Sequence, residues 1–527
     1  MNARSPQALW RELFVRSHKP GLSLQAQIRA MVVDAIHTGA LGLAQALPSS
    51  RELAEQLRVG RITVVLAYQQ LADEGILLSR QRKGHFVHPD FVGGRVTPGL
   101  QAHAKAPAQL TPHSATTDWS ARFCLQPADH RSIVKPANWQ SYPHPFLYGQ
   151  FDKDLFPTAA WRECCLKALS VLDIRDWAPD LINRDDDLLI EQIRAKVLPR
   201  RGIWARHEEL MVTVGAQHAL YMVADLLVRE GTRVAVEDPG YPDARNIFSC
   251  RTSQILPLAV DEGGLPLHAA LSQIDYVYTT PSHQCPTGVT MPRERRELLL
   301  QAAQAHDFVI LEDDFESENS FEGSPIPALK SLDHHDRVIY IGSLSKSLAP
   351  GLRIGFIVAA PALIEQLRAL RRLMLRHPST FIQRTLALFI SLGHYDAHLR
   401  RLALAQKERH QVLLEALARH LPQCPAWPVG GGGSLWVRLP DNVPAQALTE
   451  SAALRGVLIE PGDVFFVCRE PPGNYIRLGY QSIASAHIES GIAALAQALQ
   501  EVQGAGAAQA GCQAQTLPFQ GTRTRSR

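Results

Sequence analysis

At 527 residues the chain exceeds one ordinary hydrophobic core, so two or more domains are expected. A composition of 46% hydrophobic and 20% charged residues, with no apolar run of about 18 residues, fits a globular protein without a membrane span. Net charge is only +3, but residues 1–90 hold eleven Lys and Arg against seven Asp and Glu, so the basic surplus sits at the N-terminal end.

The opening Met-Asn-Ala-Arg-Ser-Pro lacks the apolar centre of a signal peptide, and a cytoplasmic location is expected. Leu24, Ile28, Met31, Val32, Ala35 and Ile36 recur at helical spacing and predict a helix that stops at Gly39. A second helix is expected after Leu47-Pro48-Ser49-Ser50, capped by a serine and burying Leu53, Ala54 and Leu57. After the Val59-Gly60 turn a third runs from about Arg61 to Glu74 on a stripe of Val64, Ala67, Tyr68 and Leu71. Two helices joined by a short glycine turn, with basic and hydroxyl residues opening the second, make a helix-turn-helix. Ile76 to Leu78 and His85 to Val87 then flank a basic tip, Arg80-Gln-Arg-Lys-Gly84, as a two-stranded wing. The plain alternative is a generic three-helix domain with a solvated charged loop.

The wording of the segment favours DNA binding. Leu-Pro-Ser-Ser-Arg-Glu-Leu-Ala from Leu47, Val-Gly-Arg-Ile-Thr-Val from Val59 and Ala-Tyr-Gln-Gln-Leu-Ala-Asp-Glu-Gly from Ala67 resemble the winged helix-turn-helix of GntR-type repressors. By that resemblance the domain spans residues 20–90, Arg51, Arg61 and Thr63 meet double-stranded promoter DNA, and Lys83-Gly84 is the wing tip. An arginine opening a recognition helix can read guanine bidentately, whereas a wing adds phosphate or minor-groove contacts.

Residues 91–118 lose apolar periodicity and gain turn formers, which reads as a linker. Short apolar runs follow at Leu210 to Val214, Arg233 to Val236, Tyr276 to Tyr278, Phe308 to Leu311, Val338 to Ile341 and Ile354 to Val358. Most are separated by helix-length segments, which predicts an α/β domain over residues 119–502 with a mainly parallel sheet. From about residue 395, helix followed by strands at Ser434 to Leu439 and Tyr475 to Leu478 predicts a smaller α+β subdomain. Residues 503–527, rich in Gly, Ala and Gln, are expected to be disordered. Eight scattered cysteines without CxxC or Cys/His metal spacing suit reduced thiols, and no structural metal is expected.

Within the α/β part, Ser343-Leu-Ser-Lys-Ser-Leu-Ala-Pro-Gly-Leu-Arg353 sets one lysine among hydroxyls, with an arginine seven residues on. Pyridoxal phosphate needs that set: Lys346 can form a Schiff base with the aldehyde, while Ser343 and Arg353 can hold the phosphate. Gly215-Ala216-Gln217 turns a strand into a helix N-terminus, a second candidate phosphate contact. Tyr241, in Glu237-Asp-Pro-Gly-Tyr241, can stack on a pyridine ring or simply pack its own loop. A carboxylate of Glu312-Asp313-Asp314 can keep a ring nitrogen protonated, although charges at strand ends are commonly just solvated. Arg477 can grip a carboxylate as a planar fork. The Gly430 to Gly433 run precedes a strand and reads as a turn.

Phe146 to Pro157 (FLYGQFDKDLFP), the Gly-Ala-Gln turn, the Glu-Asp-Pro-Gly-Tyr loop, Pro286-Thr-Gly288, Glu-Asp-Asp and the lysine segment stand in an order that resembles fold-type I aminotransferases over residues 140–500. Joined to the GntR-like head, the chain is similar to MocR-type transcriptional regulators. The resemblance implies pyridoxal 5'-phosphate on Lys346, with Asp313 at its ring nitrogen and Tyr241 on its ring. Ser343, Arg353 and Gly215, Ala216 and Gln217 would surround the phosphate. It further implies a homodimer, with Arg477 holding the carboxylate of a small amine or amino-acid effector. Three positions depart from the pattern. Cys285 replaces an asparagine and Phe315 a tyrosine, both usual donors to the cofactor's phenolic oxygen, unless His283 or Gln284 moves in. Asp180 stands where a partner-subunit tyrosine normally reaches the phosphate. The expected function is a regulator that binds promoter DNA and senses an amine, an amino acid or the cofactor itself, with little or no turnover. The alternatives are a working aminotransferase with a DNA-binding head, and a constitutive DNA binder whose C-terminal domain only dimerises.

Overall fold

Capping and one apolar stripe per helix account for the N-terminal unit of the computed structural model. Helix α1 spans Pro6–Arg16, α2 Leu24–His37, α3 Ser50–Leu57 and α4 Arg61–Asp73. Ser49 caps α3 through a reciprocal pair: its hydroxyl accepts from the Glu52 N–H at 3.2 Å and the Glu52 carboxylate accepts from the Ser49 N–H at 2.8 Å. Ile28, Met31 and Val32 of α2 meet Leu53 of α3 and Val64 and Leu71 of α4 in one core. Strands β1 (Leu77–Arg80) and β2 (Gly84–Val87) pair antiparallel as the wing. Helix α1 was not expected; its Trp10 and Leu13 join the same core.

The structure describes residues 6–16, 22–41, 46–80, 84–88, 117–316, 318, 326–427 and 429–514. Lys83, most of the segment read as a linker, and residues 515–527 lie outside them. The chain divides into two compact units, Met1–Arg122 and Phe123–Arg527.

The first strand of the second unit is β3 (His144–Pro145), and the unit is built on a seven-stranded sheet. Its strands are β4 (Leu210–Thr213), β5 (Val234–Asp238), β6 (Ile255–Ala259), β7 (Tyr276–Thr279), β8 (Val309–Asp314), β9 (Val338–Ser343) and β10 (Gly355–Val358). They lie side by side in the order β4-β10-β9-β8-β7-β5-β6. Pairings from β9 across to β6 are parallel, and β10 runs antiparallel to both its neighbours. The continuous apolar character of these strands follows from burial on both faces, since Val212, Val277, Ile310 and Ile341 are all fully covered.

A smaller layer completes the unit. Strands β11 (Ser434–Arg438), β13 (Glu460–Pro461) and β14 (Tyr475–Gly479) form a three-stranded antiparallel sheet, while β12 (Val457–Leu458) pairs with β3. Helices His394–His420, Ala445–Leu454 and Ser485–Ala514 supply its core through residues such as Leu413, Leu448 and Ile492. The last helix corrects the expectation of disorder from residue 503: it continues to Ala514. The alanines of this stretch are the strongest helix formers and favour helix despite the three glycines among them. No helix among the described residues is long and apolar enough to cross a membrane.

Candidate functional site

The parallel strands of the large sheet end on one side, and their turns line a cavity of about 310 Å³. Gly215, Ala216, Gln217, Tyr241, Ser343, Lys346, Arg353 and Arg477 all line it. These residues lie as much as 262 positions apart in the sequence, and the fold brings them together.

At one end Gly215 opens the helix Gly215–Leu227 directly after β4, at a φ of +76°. A side chain is disfavoured there: the backbone is left-handed, and a Cβ would sit 3.1 Å from the Arg353 guanidinium carbon and press on it. Gly355 of β10 packs on the same turn, where an added Cβ would come within 2.7 Å of the Gly215 carbonyl carbon. Val214 supplies no side-chain cap, so the first amides of the helix face an anion site closed by Arg353. Arg353 itself is left-handed at a φ of 52° and donates to the Val214 carbonyl at 3.3 Å.

Lys346 lies on the short helix Ser345–Leu348 after β9, its amine 4.5 Å from the Tyr148 ring centroid and 5.7 Å from that of Phe315. Burial draws this amine down to about 8, against the opposing pull of Glu316. Alternation along β8 turns Asp313 to one face of the sheet and Glu312 and Asp314 to the other. Asp314 meets Arg201 at 2.8 Å, Glu312 approaches Arg296 at 3.8 Å, and Asp313 accepts from the Tyr278 hydroxyl at 2.8 Å. Asp313 Oδ1 is buried with no hydrogen-bond partner among the described residues, and burial raises this carboxyl to about 7. An orphaned buried oxygen of this kind fits an N–H donor brought by a ligand. Tyr241 and Gln217 both donate to Asp243 Oδ2, at 3.2 and 3.1 Å, which fixes the Tyr241 ring at the cavity wall.

Arg477 closes the far end from β14. Its Nε donates to Glu460 Oε2 at 2.8 Å, and its guanidinium carbon lies 4.5 Å from the Tyr148 ring centroid and 4.6 Å from that of Phe465. Arg477 Nη2 is buried without a hydrogen-bond partner among the described residues. Lys135, 3.5 Å from Glu460 Oε1, adds a second cation to this end.

Cys285 and Phe315 line the cavity as well, and burial pushes the Cys285 thiol up to about 12. Gln284 does not replace the missing donors, because its Nε2 is spent on the Glu237 carboxylate of β5 and the Pro239 and Cys285 carbonyls, and its oxygen accepts from the Thr287 hydroxyl. His283 is buried beside Gly432, off the cavity wall, and burial lowers it to about 4. Asp180 is also absent from the wall; it pairs with Arg376 at 2.9 Å and His377 at 3.4 Å. Sequence reading assigned no role to Lys135, Tyr148, Asp243 or Glu460. Tyr148 at least lay in the quoted Phe146 to Pro157 segment, whereas Lys135 sits in a stretch without periodicity.

In the N-terminal unit Arg51 lies exposed in the first turn of α3, Arg61 is the exposed first residue of α4, Thr63 follows it half-buried, and Gly84 opens β2. Arg80 reaches over the Phe86 ring at 5.0 Å on the wing.

The sequence matches the model of bacterial regulatory proteins of the gntR family over residues 24–87, and that of aminotransferase class I and II over residues 184–495. It is 42% identical to the HTH-type transcriptional regulator TauR of Rhodobacter capsulatus, over 90% of this chain and 96% of that one. The probable rhizopine catabolism regulatory protein MocR of Rhizobium meliloti is 32% identical over 88% of this chain and 90% of its own length. Among solved structures, the α-aminoadipate aminotransferase LysN of Thermus thermophilus, complexed with N-(5'-phosphopyridoxyl)-L-leucine, superposes with a TM-score of 0.67 at 28% identity. That alignment covers 73% of this chain and 99% of LysN. A gntR-type winged helix and an aminotransferase-type fold in one chain, aligned with such regulators over nine-tenths of its length, place this protein in the MocR-type family of helix-turn-helix transcriptional regulators.

Proposed function

We propose that the chain is a pyridoxal-phosphate-dependent regulator that binds promoter DNA as a homodimer and senses an amine or amino acid in the cavity. One observation carries the reading: a single cavity lines up anion donors at Gly215 and Arg353, the Lys346 amine, and the unpartnered Arg477 Nη2. Gly215, Ala216, Gln217, Ser343 and Arg353 would hold the phosphate, Tyr241 would lie on the ring, and Asp313 Oδ1 would take the ring N–H. When bound, the cofactor supplies an aldehyde that condenses with amines and a ring that withdraws electrons. Lys346 provides the anchoring amine, and Arg477 holds an anionic group of the effector. Exposed Leu166, Leu169, Val171 and Leu172, on two successive helices and the cap between them, support the homodimer, as an apolar patch of that kind needs a cover.

Attachment needs the neutral amine, so its pH dependence follows from the lowered Lys346. A lysine moved from 10.5 to about 8 is neutral above pH 8 and protonated below it. The expected attachment rate in cofactor-free protein therefore rises with pH up to about 8 and then levels. Stopped-flow absorbance across the pH range checks this, and a rate still climbing near pH 10 contradicts it.

For DNA, Arg61→Ala is expected to cost about 1–3 kcal/mol on the specific site and to relax base preference there, while Lys83→Ala weakens all sequences alike. Anisotropy titrations on specific and scrambled duplexes separate the two. Unchanged specific binding by Arg61→Ala means that α4 does not occupy the groove.

Sensing requires that the amine bind two arrangements of the protein unequally, and a coupling of about 1–3 kcal/mol gives a 5- to 150-fold change in operator affinity. The orphaned Asp313 oxygen and the lowered Lys346 amine would serve turnover equally well, so a working aminotransferase is the second reading. The two part on one comparison: amines that shift the cofactor spectrum are tested for operator affinity and for steady-state transamination. Rapid turnover with no amine altering operator binding overturns sensing. A change on cofactor loading alone makes pyridoxal phosphate the effector.

A further inference from the structure

Helix α4 buries Val64, Ala67, Tyr68 and Leu71, and its opposite face is apolar where a solvated helix is polar. Ile62 is 75% exposed, Leu66 47% and Val65 40%. At 3.6 residues per turn these three and the exposed Gln69 fall in one stripe about 100° wide. Single exposed apolar residues need no account, but here three share one stripe, on a helix opened by exposed Arg61 and preceded by exposed Arg51 in α3 and Arg58 at its C-terminal cap, which gives the helix-turn-helix a basic surround. The basic surround matches a polyanion, and the family places a nucleic-acid-binding domain here. In the major groove the C5 methyl of thymine is the apolar group that a base edge offers to such side chains.

We infer that Ile62 and Val65 are specificity residues that pack on thymine C5 methyls in the operator, next to the base pair met by Arg61. The inference rests on the groove placement of α4 proposed above. It predicts a site in which at least one A·T pair is recognised by its methyl rather than by a hydrogen bond.

The test uses the full chain to select its operator from a random duplex library. Each thymine of the selected duplex is then replaced by deoxyuridine, which removes the methyl and keeps every hydrogen-bonding group. Affinity should fall about fourfold per methyl at one or two positions, the scale for one buried methyl-sized group. Ile62→Ala or Val65→Ala should lose a similar factor on the thymine duplex and no longer distinguish thymine from uridine at that position. Both side chains are exposed, so neither change threatens folding. The inference is overturned if every uridine duplex binds like its parent, or if both variants keep full thymine discrimination. It also falls if Ile62→Ala alters only the oligomeric state, which would assign the stripe to a protein contact. Arg61→Ala separates the two levels: if it leaves binding unchanged, the groove placement fails as well; if it weakens binding while uridine is tolerated, only the methyl contact is wrong.

Discussion

Lys346→Ala should abolish the pyridoxyl adduct that borohydride traps on the wild-type protein, with peptide mapping placing the wild-type adduct on residue 346. The cavity holds one other lysine, Lys135, and its ammonium is already committed to the Tyr148 carbonyl and the Glu460 carboxylate. Burial lowers both amines, but that of Lys346 lies against two aromatic faces instead of a carbonyl and a carboxylate, and is drawn down to about 8. Removing it relieves a buried cation, so the variant should fold normally and still hold some cofactor noncovalently through the Gly215 turn and Arg353. Dialysis would then strip the colour from the variant and leave it on the wild type. An adduct on Lys135, or on no lysine of the wild type with cofactor in excess, refutes the assignment.

Much of this architecture was legible because local and tertiary demands coincide. Ser49 and Glu52 announce the start of α3 in four residues, and the stripe of α4 repeats at the spacing its core requires. The lysine segment was readable because lysine, hydroxyls and arginine are joined within eleven residues. Other features failed for stated reasons. Strand β6 contains Pro257, which argues against a strand until its place at the sheet edge, where a missing N–H is harmless, is known. The antiparallel direction of β10 leaves no mark on an apolar run. Lys135 meets Glu460 across 325 positions, and no local pattern encodes that meeting. Helix α1 did carry a signal, since Leu9, Trp10, Leu13 and Phe14 follow helical spacing, but the stretch was not read as part of the domain.

The largest loss of stability should come from Asp185→Ala, through a cluster that also sets the Gly215 turn. Asp185 Oδ1 accepts from Arg371 Nη1 at 2.6 Å, and its Oδ2 accepts from Arg368 Nη1 at 2.9 Å and from the Val212 N–H at 3.2 Å. The two arginines in turn donate to the carbonyls of Val212 and Leu210, at 2.6 and 2.7 Å. Strand β4 is the edge of the sheet, so these backbone groups have no neighbouring strand, and the cluster occupies them instead. It thereby clamps the helix Pro361–Leu375 to the strand that delivers Gly215. Deleting the carboxylate leaves the fully buried Arg371 guanidinium without a counter-charge and the Val212 N–H without an acceptor. The expected cost is about 3–5 kcal/mol, the range for breaking a buried ion pair by removing one partner. Because the chain has two units, the transition should be read from the cofactor's visible band, which reports the C-terminal unit alone. Asp185→Asn keeps the shape and one acceptor, so its loss should be smaller, and Asp185→Ala with Arg371→Met should recover part of the stability by removing the stranded charge. A single Asp185→Ala variant whose urea midpoint matches the wild type would show that β4 is held by the sheet alone and that the cluster is incidental.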